Sequence, residues 1–378
     1  MPIPNSEKQQ VWDAYRARKP TRVPVTYGVN PRVILLDPAF NPQGTSFEEY
    51  YRSGAAAADI QLRFMDYQAE YLNRFSDNPM GRPKEFTFYV DTQNIYDAAY
   101  FGCPVRFHEG QVADVSPILA GRDKNRIFAF DRDHPLENPF VRECFARHES
   151  LVAAVAKLSV PGVTFQVRPI LMGWDGPVTI AVQLRGVEFM TDLVDDPAYA
   201  LKLMRFLQEG AILRNRALAA RAGQPIFQGP SGGHADDSIQ LIGPAMYREM
   251  VLSLHREWYA LFGPGPHGIH LCGDATRHFP MLHKELNVCS FDTGFPVNHG
   301  KLRQALGPEV EILGGPEVQI LLGGTRDEVY ARTKGILQSG VMTGGRFILR
   351  EANNLPPCCP EANLAAMYQA CLHFGRYR

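Results

Sequence analysis

No Cys-x-x-Cys pair occurs anywhere in this sequence, which excludes the thioredoxin motif and the common structural zinc knuckles. Seven cysteines, an odd number spread over 378 residues, do not make a disulfide framework. No G-x-G-x-x-G opens a helix and no G-x-x-x-x-G-K-[ST] is present, so dinucleotide and P-loop chemistry lack their phosphate cradles. An excess of one charge is missing too. The 39 Lys and Arg nearly cancel the 40 Asp and Glu, and a formal charge of −1 gives no basic field for nucleic acid or for an anionic membrane surface. The longest apolar runs fall well short of the roughly 18 residues that span a bilayer. The opening stretch, MPIPNSEKQQVWDAYRARKP, is polar and helical without the apolar centre of a signal peptide, so a cytoplasmic protein is expected.

The content that remains, 45% apolar and 21% charged, is that of a soluble globule, and 378 residues suit one large α/β domain or two ordinary ones, with a single domain over 1–378 expected. After the opening helix comes a short β-rich run, Arg22 to Tyr27. Residues 30–150 are irregular, rich in Pro, Gly and aromatics, with a strand at 86–90 and a charged excursion at 123–139. From about 160 a rhythm sets in. Strands are expected at 164–172, 225–228, 268–272, 287–292, 311–313 and 347–349. Helices are expected at 197–222, 245–261, 277–286, 301–306, 325–339 and 361–374. Strands alternating with amphipathic helices across short loops imply parallel pairing. Without a dinucleotide fingerprint, a closed (β/α)8 TIM-like barrel fits better than an open sheet, with the first third decorating its mouth.

Gly268-Ile269-His270-Leu271-Cys272-Gly273 carries the sharpest chemical signal. Residues two apart in a strand share a face, so His270 and Cys272 project together at the C-terminal end, where barrels of this type place their chemistry. An imidazole and a thiolate are half of a tetrahedral zinc site; otherwise they are a buried pair that shares a strand. Asp292 ends the next strand. It can ligate the same metal, accept a proton, hold His270 from behind, or simply cap a turn. His234, Asp236 and Asp237 follow Gly232-Gly233 on what reads as a flexible loop. They can bind a substrate amine or a metal, or steer a proton, or one Asp can cap the next segment. Gly229-Pro230-Ser231-Gly232-Gly233 fits G-x-S-x-G formally, but the helix a nucleophile elbow requires does not follow. After the last strand come Arg350, Asn353 and the vicinal Cys358 and Cys359, which can complete a site or shape a loop.

In order, Lys19-Pro20-Thr21-Arg22-Val23-Pro24-Val25, Gly176-Pro177-Val178-Thr179, Asp195-Asp196-Pro197, Asp236-Asp237 before Gly243-Pro244, His270-Leu271-Cys272-Gly273, Gly323-Gly324-Thr325-Arg326-Asp327-Glu328 and Pro360-Glu361-Ala362-Asn363 resemble the uroporphyrinogen decarboxylase superfamily. The likeness is good from residue 170 onward and weak from 30 to 150. It implies a (β/α)8 barrel. The arginine-rich N-terminal segment of the true decarboxylases is missing, and Asn353 stands where they carry a histidine. The resemblance therefore points to the methyltransferase branch, which uses His-x-Cys and a later Cys as zinc ligands. His270 and Cys272 match, Asp292 falls where related methionine synthases place an acidic ligand, and the later Cys aligns with Asn353, a departure that leaves three outcomes open: Asn353 ligates weakly through its oxygen, Cys358 or Cys359 swings in, or the metal is absent.

The expected function is thus a zinc-dependent transferase moving a methyl group between a corrinoid carrier protein and a small molecule. The corrinoid would sit on a partner, because no D-x-H-x-x-G motif is present. Two alternatives stand beside it. One is a metal-free decarboxylase or lyase, with Asp236, Asp237 and Asp292 as proton donors and Arg350 as a carboxylate clamp. The other is a barrel that binds without catalysis. Substrate is expected to meet Tyr27, Trp174, Asp175, Arg350 and Asn353. Some of Tyr27, Phe86, Phe88, Tyr89, Tyr96, Tyr100 and Phe101 are expected to form a lid facing Trp174 and Asp175, most of them serving as packing.

Overall fold

The structure is a computed structural model that describes residues 3–377. The chain forms two compact units, one built from the residues up to 44, from 60–84 and from 266 onward, the other from 45–59 and 85–265. The first opens with helix α1 (Asn5–Arg16), which buries Val11, Tyr15 and the stem of Lys8.

In the second unit, β1 (Glu85–Phe88) and β2 (Thr164–Val167) pair in parallel, Glu85 opposite Thr164. Phe86, Phe88 and Phe165 pack there against Leu151 and Val155. The strand expected over 164–172 is therefore shorter than its apolar run. Arg168 N still donates to Phe88 O at 2.9 Å, but Pro169 has no N–H and pairing stops. Helix α2 (Pro177–Arg185) follows a turn at Gly176. Helix α3 (Pro197–Ala222) starts as its sequence predicts, with Pro197 at N1 and the Asp196 side chain accepting from Tyr199 N, and it stops at left-handed Gly223. No strand forms at 225–228, where Phe227 adopts φ +52 and turns the chain. The strand lies later, as β3 (Gly233–Ala235), in the segment expected to be a flexible loop. The helix expected over 245–261 is split by a π turn, Tyr247–Val251, between Pro244–Met246 and Leu252–Tyr259.

In the first unit, β4 (His267–Leu271), β5 (Val288–Thr293), β6 (Glu311–Gly314) and β7 (Phe347–Leu349) pair in parallel in that order. Each is followed by a helix: α4 (Phe279–Leu286), α5 (His299–Leu306), α6 (Arg326–Ile336) and α7 (Glu361–Phe374). This is the succession of a (β/α)8 barrel. The N-terminal β-rich run joins the same sheet through a parallel bridge of Val25 to Leu349. Alternation sorts the side chains. Ile269, Leu271, Phe291, Ile312, Phe347 and Leu349 are buried, while His270 and Asp292 lie on the half-open positions between. Among the described residues, no helix is long and apolar enough to cross a membrane.

Candidate metal site

His270 is the fourth residue of β4, and Cys272 follows the strand on the same side. Gly273 (φ +69) then turns the chain away. The loop after β5 seats directly on this turn: a Cβ on Gly294 would lie 2.4 Å from Gly273 N and 2.8 Å from the Cys272 carbonyl carbon, so only glycine fits. Parallel register sets His270 opposite Asp292. Consequently His270 Nδ1 lies 2.8 Å from Asp292 Oδ2, and Nε2 lies 3.2 Å from Cys272 Sγ. The thiol in turn donates to Asn353 Oδ1 at 3.1 Å. Behind Asp292, Arg350 Nη1 donates to the same Oδ2 at 2.8 Å, and Arg350 Nη2 donates to Glu351 Oε1 at 2.8 Å. Burial alone would lower the His270 pKa, but Asp292 and Cys272 outweigh it and hold the ring up at about 10.

The donor set fits zinc. Imidazole nitrogen and thiolate sulfur on one tetrahedral ion stand about 3.5 Å apart, given their usual bond lengths. The observed 3.2 Å needs only a small opening. A carboxylate on the far nitrogen is the usual support of a metal-binding histidine, because it fixes the tautomer and orientation. That geometry gives Asp292 a different place from a ligand: it faces Nδ1, on the opposite side of the ring from the thiol. Cys358 and Cys359 do not turn toward Cys272. Their thiols face Leu36 O (3.5 Å) and Leu321 O (3.3 Å), and burial pushes Cys359 up to about 12. Arg350 is occupied by the protein carboxylates Asp292 and Glu351. Tyr27 is buried, with its hydroxyl 3.5 Å from Leu364 O.

The acidic residues of the second unit divide by environment. Asp236 is fully buried and accepts from Thr179 N (2.8 Å), Thr179 Oγ1 (2.8 Å), Val178 N (3.3 Å) and His255 Nε2 (3.0 Å). It caps α2. His234 lies in β3, buried, with its ring centroid 4.5 Å from that of His255 and 5.0 Å from that of Tyr259. Asp237 is half-buried and adds negative charge beside Asp175.

Asp175 has the more unusual environment. It is half-buried, accepts from Tyr96 Oη at 2.6 Å, and has its pKa raised to about 7, first by burial and then by Asp97. Its backbone N–H donates to Asp97 Oδ2 at 2.9 Å, and Asp97 pairs with Arg214 at 2.7 Å, both fully buried. Arg214 also donates to Gly173 O at 2.9 Å, so the loop carrying Trp174 and Asp175 is pinned at both ends. Sequence reasoning missed Asp97 and Arg214. The available signal was a charged residue on the apolar stripe of α3, between Leu207, Ala211 and Leu218. Of the aromatics considered for a lid, Phe88, Tyr100 and Phe101 are buried packing, and Tyr96 is the one that meets Asp175.

No curated protein matches the chain by sequence. Among solved structures, a methyltransferase from Methanosarcina mazei superposes with a TM-score of 0.64 at 16% identity, covering 97% of this chain and 98% of that one. The two share a fold over their whole lengths. The sequence profile named uroporphyrinogen decarboxylase (URO-D) matches residues 95–374, and with that match, most of its length, the chain belongs to this family.

Proposed function

We propose that the protein is a zinc-dependent transferase that moves a methyl group between a corrinoid carrier protein and a small molecule. The observation that carries this reading is the His270–Cys272 pair, with donors 3.2 Å apart and Asp292 on the far ring nitrogen. The likeness in fold to a methyltransferase agrees with it. Zinc bound there supplies Lewis acidity, which lowers the pKa of a thiol or polarises an ether oxygen. Nε2 and Sγ would hold the ion, and Asp292 keeps the proton on Nδ1 so that the Nε2 lone pair stays available. Asp175 and Tyr96 supply a separate carboxyl–phenol pair able to hold a hydroxyl or amine of a small molecule. Tyr96 would then be the lid residue in contact with substrate.

Protein purified without chelator is expected to carry about one zinc per chain. His270→Ala should lose the metal while keeping its far-ultraviolet dichroism. Metal analysis that finds none in the wild type, together with unchanged properties of His270→Ala, overturns the reading. The lyase alternative is weakened by the same geometry, since Asp236 is a cap and Arg350 is already paired.

A further inference from the structure

We propose that Asn353 supplies the third protein donor of this site, an amide oxygen beside the imidazole and the thiolate, and that Arg350, backed by Glu351, is the positioning residue that sets it. This rests on the metal reading above. Asn353 has φ +93, a backbone conformation that is strained for a non-glycine residue and persists only where its surroundings enforce it. The enforcing contacts are visible. Arg350 Nη2 donates to the Asn353 carbonyl oxygen, and the Asn353 side-chain oxygen meets Cys272 Sγ at 3.1 Å. The same guanidinium reaches the other arm of the site, because Nη1 donates at 2.8 Å to the Asp292 oxygen that holds His270 Nδ1.

Arg350 is itself built in. It is 8% exposed and Glu351 is fully buried. Glu351 Oε1 takes Arg350 Nη2 (2.8 Å), Arg350 Nε (3.2 Å) and the Gly28 N–H (2.9 Å). A Cβ on Gly28 would lie 1.8 Å from Arg350 Nη2, so the guanidinium fills the space a side chain would need. One planar fork thus ties the N-terminal run to both donor arms, a geometry that lysine's single ammonium cannot copy. The chemical consequence is a harder site. His, Cys and Asn bring one formal negative charge to the ion, where a second thiolate would bring two, so affinity for zinc is lower and oxygen ligands are better tolerated.

The test uses the full chain, with zinc affinity measured by chelator competition and the visible spectrum recorded on the cobalt(II) form. Asn353→Ala should weaken zinc binding about 10-fold or more, and Asn353→Cys should tighten it and add thiolate-to-cobalt absorption. Arg350→Gln should weaken binding by about 10–100-fold and shift the cobalt bands, with Arg350→Lys only partly restoring both. The double variant Arg350→Gln/Asn353→Ala should be little worse than the poorer single one, which a general loss of stability would not give. Should Arg350→Gln fail to fold, Arg350→Lys and Glu351→Gln take its place, each compared with its own metal-free thermal midpoint. Wild-type metal binding together with unaltered affinity and spectra in Asn353→Ala and Arg350→Lys overturns this inference alone. A wild type that takes up no metal overturns it together with the function proposed above.

Discussion

Asp175 and His270 show how far one residue's chemistry depends on what surrounds it. His270 sits against Asp292, which raises its pKa although burial opposes this; Asp175 is a carboxyl pushed toward its neutral form. Burial comes first, then the charges of Asp97 and Asp237, against the opposing hydrogen bond of Tyr96 and the charge of Arg214. A carboxyl whose pKa is raised in the folded state destabilises the fold wherever the unfolded chain has ionised and the folded one has not, so the penalty is absent below about pH 4, grows as pH rises toward about 7 and levels off above it. Asp175→Asn should therefore gain stability relative to the wild type as pH goes from 5 to 8, read as a widening difference in urea midpoints. Tyr96→Phe removes a donor to the ionised form and should move the carboxyl titration upward. A constant difference across that pH range would mean that Asp175 ionises normally.

Elements separate what the chain states locally from what it states only on folding. The second half was readable because its signals are local. Alternation marks β4 throughout and β5 from Ser290 onward, an Asp-Pro pair opens α3, and Thr325 with Glu328 forms a capping box at α6. The same alternation made His270 and Cys272 legible as a pair, and the strand register then delivered Asp292. Nothing local announced Asp97 with Arg214, which lie 117 positions apart, or the place of Arg350 between Asp292 and Glu351. The strand expected at 225–228 failed because a positive φ at Phe227 is invisible to pattern. Asp236 shows the difference in energy as well as in role. Asp236→Ala leaves four donors unmatched, the buried Val178 N–H and His255 ring among them, and should cost roughly 3–5 kcal/mol in urea unfolding. Thr325→Ala, at an exposed cap, should cost only about 1 kcal/mol. Asp236→Asn should fall between them, because its amide oxygen can still accept from Thr179. Equal losses at the two caps would refute this assignment.

At the scale of the whole molecule, the first unit depends on segments from both ends of the chain. The N-terminal run lies along β7 by Thr26 N donating to Leu349 O (3.0 Å) and Leu349 N to Pro24 O (2.9 Å), while Arg22 bridges to Arg376. Asp77 is the point at which these segments meet. Fully buried, it accepts from Arg22 Nη1 (2.7 Å), from Val25 N (2.7 Å) and from Tyr368 Oη (2.8 Å) on α7. A hydrophobic substitute would also need a replacement for Arg22, which is 5% exposed and would otherwise stay charged without a partner. Removing one member of a buried ion pair typically costs about 3–5 kcal/mol, far more than the net worth of the pair. Asp77→Ala should thus lose a large share of a total stability that for domains of this kind is only about 5–15 kcal/mol. Because the strand it releases also carries Gly28, the cradle of Arg350, metal affinity should fall along with the thermal midpoint. The paired replacement Arg22→Met/Asp77→Leu should recover much of the midpoint. A loss in Asp77→Ala below about 1 kcal/mol, the worth of an exposed ion pair, would show that the N-terminal run is held by its backbone bonds alone.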